Sequence, residues 1–109
     1  MKAFRNIGES HIQIIQPEKF AAAIVDFWVD PEARGTGVGR RLLVATCRDA
    51  DREKIILLLE PCPFGMYDIE TEMFQPPTMT YKQLCAFYRS FGFRFRPKPL
   101  EDQMMRKPK

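Results

Sequence analysis

Three glycines, Gly35, Gly37 and Gly39, occupy every second position of the arginine-flanked stretch PEARGTGVGRRLL at residues 31–43. Ordering a glycine costs conformational entropy, so three of them in five residues indicate a backbone that must go where side chains would block it. A run of helix-forming residues begins directly after them. Such a stretch can bind an anion, because the free amides and the dipole at a helix N-terminus both favour a phosphate or pyrophosphate.

Two familiar phosphate-binding motifs do not fit this stretch. A Walker loop ends in Gly-Lys-Ser/Thr, whereas Gly39 is followed by Arg40 and Arg41. A dinucleotide-binding fingerprint needs a third glycine three residues after the second, and Arg40 occupies that position. These residues alone leave two interpretations open: an anion-binding loop, or a tight turn from strand to helix that binds no ligand.

Hydropathy patterns and turn residues predict the elements that must position this loop. In chain order they are a strand at 11–16, a turn at 17–19, a central strand at 20–29, a helix at 38–51, a strand buried on both faces at 54–60, an irregular segment at 61–79, a helix capped by Thr80 and running to 91, a strand at 93–96 and a last edge strand within 102–107. A strand, a helix and a strand in series indicate a parallel pair with a right-handed crossover. The first two strands are expected to pair as a hairpin.

Length, composition and charge limit the remaining possibilities. At 109 residues the chain is expected to form one domain, residues 1–109, of soluble type. We expect neither a membrane helix nor a secretory signal, and a cytoplasmic location. The odd set of Cys47, Cys62 and Cys85 lacks metal-ligand spacing and predicts free thiols, while the single histidine, His11, is expected to be a surface strand residue, so no metal site is predicted.

Two signatures resemble those of the GNAT acetyltransferase superfamily. VDPEARGTGVGRRLL is similar to its coenzyme A motif, Arg/Gln-x-x-Gly-x-Gly/Ala after a strand ending in Val-x-Pro, with Arg34 to Gly39 at the motif positions. LCAFYRSFGF at 84–93 is similar to Leu-x-x-Phe-Tyr-x-x-x-Gly-Phe, and PFG at 63–65 with MMRKP near the end resemble a compact viral and mobile-element type. The resemblance covers 20–106. It implies an α/β (α+β) fold whose mixed central sheet carries a strand-helix-strand CoA-binding unit but lacks the usual first strand and first two helices.

The resemblance also implies a reaction, the direct transfer of an acetyl group from acetyl-CoA to a primary amine. The residues it assigns to the cofactor are Phe27, Trp28, Val29, Arg34, Gly35, Thr36, Gly37, Val38, Gly39, Arg40 and Arg41. A backbone amide near Trp28 or Val29 would stabilise the oxyanion by roughly 3 kcal/mol. Tyr88 would protonate the leaving thiolate, or it is only part of the apolar stripe of its helix.

The group that removes the proton from the amine is less defined by the sequence. A free lysine amine titrates near pH 10.4, so at neutral pH some group must accept its proton. Asp26 is the carboxylate within the central strand and is our candidate; a water chain or a polar residue of 61–79 are the alternatives. Tyr81 stands where relatives often carry an asparagine, seven residues before the catalytic tyrosine.

The short segment before the central strand indicates an open acceptor side. Openness favours a protein lysine or N-terminus as the acceptor over a small amine, although a homodimer could supply the missing wall. The segment 61–79 is expected to contribute to acceptor recognition or self-association, or else to pack onto the core. Its exposed apolar candidates are Phe64, Met66, Tyr67, Met73 and Phe74.

Three functions therefore compete. The first is an N-acetyltransferase that modifies a protein, for instance a host or regulatory protein. The second is a non-catalytic module that keeps the fold and binds CoA or a partner protein. The third and weakest is a nucleic-acid binder, based on six basic residues against two acidic ones in 94–109, because aromatic and basic residues interleave there only in FRFRPK.

Overall fold

The computed structural model describes residues 1–62, 66–68, 73–75 and 79–109, with only the backbone given for 66–68 and 73–75. In these residues the elements are β1 (Phe4–Ile7), β2 (Ser10–Glu18), β3 (Ala21–Trp28), α1 (Val38–Glu53), β4 (Ile56–Leu59), β5 (Met66–Asp68), β6 (Met73–Gln75), α2 (Tyr81–Arg89), β7 (Arg94–Phe95) and β8 (Met104–Arg106), with a 3₁₀ turn at Pro31–Ala33. Six strands form one mixed sheet in the order β1-β2-β3-β4-β8-β7, and β5 pairs with β6. The predicted fold class is confirmed.

The centre of the fold is the β3–α1–β4 unit. Helix α1 starts after Gly37, whose φ of 84° only glycine adopts easily, and it ends at Lys54 in the left-handed region. Its apolar stripe packs into the core cluster together with Ile12 of β2 and Leu57 of β4. The buried α1 residues of that stripe are Val38, Leu42, Leu43, Cys47 and Ala50. The predicted helix is therefore present, two residues longer than expected.

Strands β3 and β4 run parallel but pair over a short distance. Ala21, Ala22 and Ala23 are opposite Ile56, Leu57 and Leu58. Strand β3 then continues to Trp28, whereas β4 ends at Leu59. The two strands therefore leave a cleft at their C-terminal ends.

A β-bulge at Val25 sets the direction of the side chains beyond it. Ile14 is opposite Ile24 and the preceding residue, Gln13, is opposite Asp26, so Val25 is the extra residue on β3. Ile24 is buried on the core side and Phe27 also packs against the core. Because side chains alternate along a strand, the bulge turns Asp26 away from the face that Ile24 occupies.

The structure differs from the expectations at three places. Strand β1 was not predicted, because its four residues are only partly buried and carry a weak pattern. The final strand was expected at an edge, but β8 lies between β4 and β7, with Met104 fully buried. Strand β4 is buried on one face only: Leu57 and Leu59 lie in the core, while the alternate residues are half-buried.

An ion pair holds β8 in that inner position. The buried Arg106 guanidinium donates to Asp51 Oδ1 at 2.8 Å and Oδ2 at 3.0 Å, and its Nε donates to the Phe91 carbonyl at 2.7 Å. These hydrogen bonds hold the pKa of the Asp51 carboxyl below its usual value. The pair thus connects α1, β8 and the turn after α2.

We predict that Asp51→Asn lowers the free energy of unfolding by roughly 2–4 kcal/mol at pH 7, because it leaves Arg106 buried without a countercharge. The lowered pKa means that the ionised carboxylate stabilises the folded protein above about pH 4, and that this contribution is lost as the pH falls through the folded-state pKa. Urea unfolding at pH 7 and in acid should therefore show the difference shrinking in acid. The exposed Asp102→Asn is the control, and equal effects of the two variants at pH 7 would refute the role of the pair.

Candidate active site

A groove of about 430 Å³ lies where the end of β3, the glycine loop and α2 meet. Its wall contains most of the residues that the resemblance assigned to the cofactor. The lining residues are Phe27, Trp28, Val29, Ala33, Arg34, Gly35, Gly37, Val38, Gly39, Arg40, Cys62, Met79, Leu84, Phe87 and Tyr88. The predicted cofactor residues and the predicted acid are thus brought together around one concave surface.

Glycine is required at the three positions of the loop for different structural reasons. Gly35 and Gly37 have φ angles of 82° and 84°, and a Cβ added at either would meet nothing within 4 Å. A Cβ on Gly39, in contrast, would lie 3.1 Å from Val29 Cγ2. The first two glycines therefore leave open space beside the backbone, and the third lets α1 approach the end of β3.

The first turn of α1 presents backbone amides to the groove. The Arg41 N–H donates the first helical bond, 3.0 Å, to the Gly37 carbonyl, so the amides of Val38, Gly39 and Arg40 precede the helical ladder. All three residues line the groove. These amides, the open space at the glycines and the helix dipole fit a pyrophosphate group.

Hydrogen bonds brace the loop in this shape. Arg34 Nε donates to the Val29 carbonyl at 3.2 Å, and Asp30 Oδ1 accepts from the Glu32 amide at 3.1 Å. The Thr36 hydroxyl donates to the Ala33 carbonyl. The loop is therefore fixed before any ligand arrives, which lowers the entropy cost of binding one.

Arg40 links the two helices at the mouth of the groove. Its guanidinium carbon lies 5.1 Å from the centre of the Phe91 ring and 6.0 Å from that of Phe87. Both distances are within the range of cation–π attraction. The contact holds α2 against the start of α1 and keeps a positive charge beside the exposed amides.

Tyr88 lies on α2 at the inner end of the groove. The helix begins with a capping box, in which Thr80 and Gln83 satisfy each other's backbone amides. The Tyr88 side chain is 7% exposed and contacts the rings of Phe87 and Phe93 edge-on or tilted. Burial, with a smaller effect of the nearby Cys85, raises the pKa of Tyr88 to about 12, so its hydroxyl is protonated at neutral pH.

A second cavity of about 110 Å³ occupies the cleft between the diverging strands. Asp26, Glu60, Cys62 and Tyr88 are among the residues that line it. Tyr88 and Cys62 line both spaces, so the groove and the second cavity adjoin each other there. An amine in the second cavity and a thioester in the groove could meet beside Tyr88.

Some predicted residues lie elsewhere. Asp26 lines the second cavity and not the groove, while Thr36 and Arg41 are absent from the residues that line either space. The Arg41 amide is used in the helix, and its side chain is exposed. His11 is a strand residue as expected, with its side chain 26% exposed, and its Nε2 lies 2.6 Å from Asp26 Oδ2.

Sequence reasoning missed Glu60, Cys62 and His11 as members of the site. Glu60 and Cys62 directly follow β4, and polar residues at the carboxyl ends of parallel strands are a usual place for chemistry. That signal was present in the sequence. His11 gave no such signal, because its contact with Asp26 depends on the bulge in β3.

Comparison with known proteins identifies the family. A family model described as an acetyltransferase (GNAT) domain matches residues 4–95. The chain therefore belongs to the GNAT acetyltransferase family, and it is an acyltransferase whose donor is acetyl-CoA. No curated protein matched it in sequence.

Solved structures show the same fold at low identity. The anti-CRISPR protein AcrVA5 has a TM-score of 0.68 at 17% identity, over 94% of this chain and 94% of that one. Ard1 from Thermoplasma volcanium has a TM-score of 0.60 at 19% identity, over 92% of this chain and 63% of that one. An aminoglycoside 6'-N-acetyltransferase complexed with coenzyme A has a TM-score of 0.57 at 14% identity, over 90% and 65%. The chain thus spans less than two thirds of these two longer structures.

In residues 1–62 and 79–109 and the two short strands between them, no helix is long and apolar enough to cross a membrane. No group of three or more histidine, cysteine or acidic side chains is arranged to hold a metal ion in the same residues. The three cysteines Cys47, Cys62 and Cys85 are free thiols, with Cys62 exposed.

We predict that Gly37→Val weakens CoA binding at least tenfold. The new side chain would enter the space beside the α1 amides, where the pyrophosphate would lie, and it would strain a backbone with positive φ. Gly8→Val is a matched control, because Gly8 also has a positive φ and open space around it but lies in the β1–β2 turn. Calorimetry should show both variants destabilised and only Gly37→Val impaired in binding; equal CoA affinities would refute the cradle.

We also predict that one tyrosine titrates at about pH 12 in absorbance measurements and that this step is missing in Tyr88→Phe. Because the folded-state pKa exceeds the ordinary value near 10, the neutral hydroxyl stabilises the folded protein. That contribution is complete below about pH 10 and is lost as the pH rises through 12. Identical alkaline titrations of the two proteins would contradict the burial of Tyr88.

Proposed function

We propose that the protein is an acetyl-CoA-dependent N-acetyltransferase that acts on a primary amine of a protein, a lysine or an N-terminus. The observation that carries this proposal is the place of Tyr88, whose side chain borders both the groove and the second cavity. A donor in the first space and an acceptor in the second would bring the reacting atoms together there. Family membership supports the acetyl transfer itself.

The groove residues would orient acetyl-CoA with its pyrophosphate at the start of α1 and its thioester at the end of β3. The amides of Val38, Gly39 and Arg40 would bind the pyrophosphate, and the extended arm would lie along the end of β3, beyond the residues that pair with β4. A backbone amide at Trp28 or Val29 would then donate to the carbonyl oxygen as negative charge develops on it. Acetyl-CoA supplies the acetyl group as an activated thioester.

The hydroxyl of Tyr88 would donate a proton to the leaving sulfur. A pKa of about 12 keeps that proton on the tyrosine until the carbon–sulfur bond breaks. The same burial also raises the pKa of a thiolate formed beside it, so transfer from oxygen to sulfur is not strongly opposed. The environment of Tyr88 therefore suits an acid that acts late in the reaction.

The second cavity would receive the acceptor. Asp26 and Glu60 line it, and their negative charges would favour a positively charged amine there. Asp26, the predicted base, would take part in removing the proton. The fixed negative charges would also select lysine over neutral nucleophiles.

The elements before α1 support a protein acceptor. Residues 1–37 contribute three strands and no α-helix, so no helix of this segment covers the acceptor side. The predicted role of the 61–79 segment in recognition or self-association falls largely on side chains outside the described residues, and it stays a prediction, as does a homodimer. A host protein is the first acceptor to test, because AcrVA5, which has this fold at similar length, is an anti-CRISPR protein.

A single assay separates this proposal from a non-catalytic CoA-binding module. The protein is mixed with acetyl-CoA and a lysine-rich peptide, and free thiol is followed together with the mass of the peptide. The proposal requires thiol release matched by acetyl gain on lysine. Binding of CoA without transfer to peptides, N-termini or small diamines would favour the non-catalytic module instead.

We predict that Tyr88→Phe lowers kcat roughly ten- to a thousandfold and leaves the KM for acetyl-CoA nearly unchanged, since the hydroxyl acts on the leaving group. Tyr81→Phe is the control: Tyr81 is on the same helix but is 49% exposed. Full turnover of Tyr88→Phe at saturating acetyl-CoA would assign Tyr88 to the core alone. A loss of affinity without a loss of kcat would make it a cofactor contact.

A further inference from the structure

The chain's single histidine is joined to Asp26 beside the proposed acceptor site. His11 Nε2 lies 2.6 Å from Asp26 Oδ2, between the neighbouring strands β2 and β3. His11 is directly opposite Trp28, and the bulge at Val25 brings Asp26 to the same face of the sheet. Asp26 lines the second cavity, and His11 contacts Trp28, which lines the groove.

Two aromatic rings fix the plane of the imidazole. The Phe4 ring is stacked on it with centroids 5.7 Å apart, and the Trp28 ring is tilted against it at 6.0 Å. A carboxylate accepts hydrogen bonds, so the proton in the contact with Asp26 belongs to Nε2. In the neutral ring this leaves the lone pair on Nδ1, and the side chain is 26% exposed.

We propose that Nδ1 of His11 is the atom that takes the proton from the acceptor amine, with Asp26 as the positioning residue. The inference rests on the proposed function and names the base for it. The amine nitrogen bonds to the acetyl carbon and the carbon–sulfur bond breaks. The N–H proton passes to Nδ1, directly or through one water, and Tyr88 gives its proton to the sulfur. His11 then releases its proton to solvent, and Tyr88 regains one.

The surroundings of the pair favour this division of roles. Phe4 and Trp28 carry no charge that could compete for the ring, and the other titratable residues that line the second cavity with Asp26 are Glu60, Cys62 and Tyr88. The carboxylate stabilises the imidazolium that forms when Nδ1 takes the proton. A neutral imidazole is a stronger base than a carboxylate, so His11 is better suited than Asp26 to accept the amine proton.

The test is the pH dependence of kcat/KM for acetyl transfer to a lysine peptide. The activity of the wild type should fall as the pH is lowered, because a protonated base cannot accept the amine proton. His11→Gln keeps a hydrogen bond to Asp26 but cannot take the proton, so kcat should fall roughly a hundredfold, this acid limb should vanish, and the KM for acetyl-CoA should stay unchanged. The exposed Gln13→Ala, on the same strand, should behave as the wild type.

The outcomes separate this inference from the proposed function. A wild type that transfers no acetyl group at any pH overturns both. An active wild type whose acid limb persists in His11→Gln overturns the role of His11 and leaves the proposed function standing. Should His11→Gln fail to fold, His11→Ala with added imidazole replaces it: rescue of the rate supports the proposal, and no rescue refutes it.

A measurement without turnover tests the dyad itself. Because the chain has one histidine, ¹⁵N NMR of its ring reports which nitrogen carries the proton. At alkaline pH the wild type should hold it on Nε2, and Asp26→Asn should lose that preference. A proton on Nδ1 in the wild type would contradict the proposal, since that atom could not then act as the base.

Discussion

Strands β3 and β4 share three residue pairs and then separate, and the site depends on that separation. If β4 paired with β3 along its whole length, it would hydrogen-bond to the last residues of β3 and close the space between the strands. Here β3 runs on to Trp28 with an edge that β4 does not cover. The groove lies beside this edge, the second cavity lies within the cleft, and Tyr88 closes the cleft from α2.

Small local features then aim the chemical groups at this cleft. The bulge at Val25 turns Asp26 toward His11, while Gly39 allows α1 to approach Val29 closely. Neither residue of the Asp51–Arg106 pair lines the groove or the second cavity, yet the pair holds the inner strand β8 against β4. The stability of the sheet and the geometry of the site are therefore set by separate interactions.

Much of this architecture is predictable because it is local. The apolar stripe of α1, the glycines before it and the Thr80 cap define the β3–α1–β4 unit and the start of α2 from the sequence alone. The inner position of β8 is not predictable in this way, since the buried arginine at its end is stabilised by a residue 55 positions away. The four-residue β1 exists through its pairing with β2 and carries little signal of its own.

The candidate site is likewise predictable only where it depends on local sequence. The glycine motif predicted the residues of the groove, and the helix motif at 84–93 predicted Tyr88. The contact between His11 and Asp26 depends on the strand register and on one extra residue in β3. Neither can be predicted from a single sequence. Glu60 and Cys62 join the site because β4 ends beside them.

The central claim is that the donor lies in the groove with its thioester end at the cleft. The most direct measurement is a crystal structure of the protein soaked with coenzyme A. Our account predicts the pyrophosphate within about 3.2 Å of the amides of Val38, Gly39 and Arg40 and the sulfur within hydrogen-bonding reach of the Tyr88 hydroxyl. A pyrophosphate bound elsewhere, or a sulfur directed away from Tyr88, would contradict it.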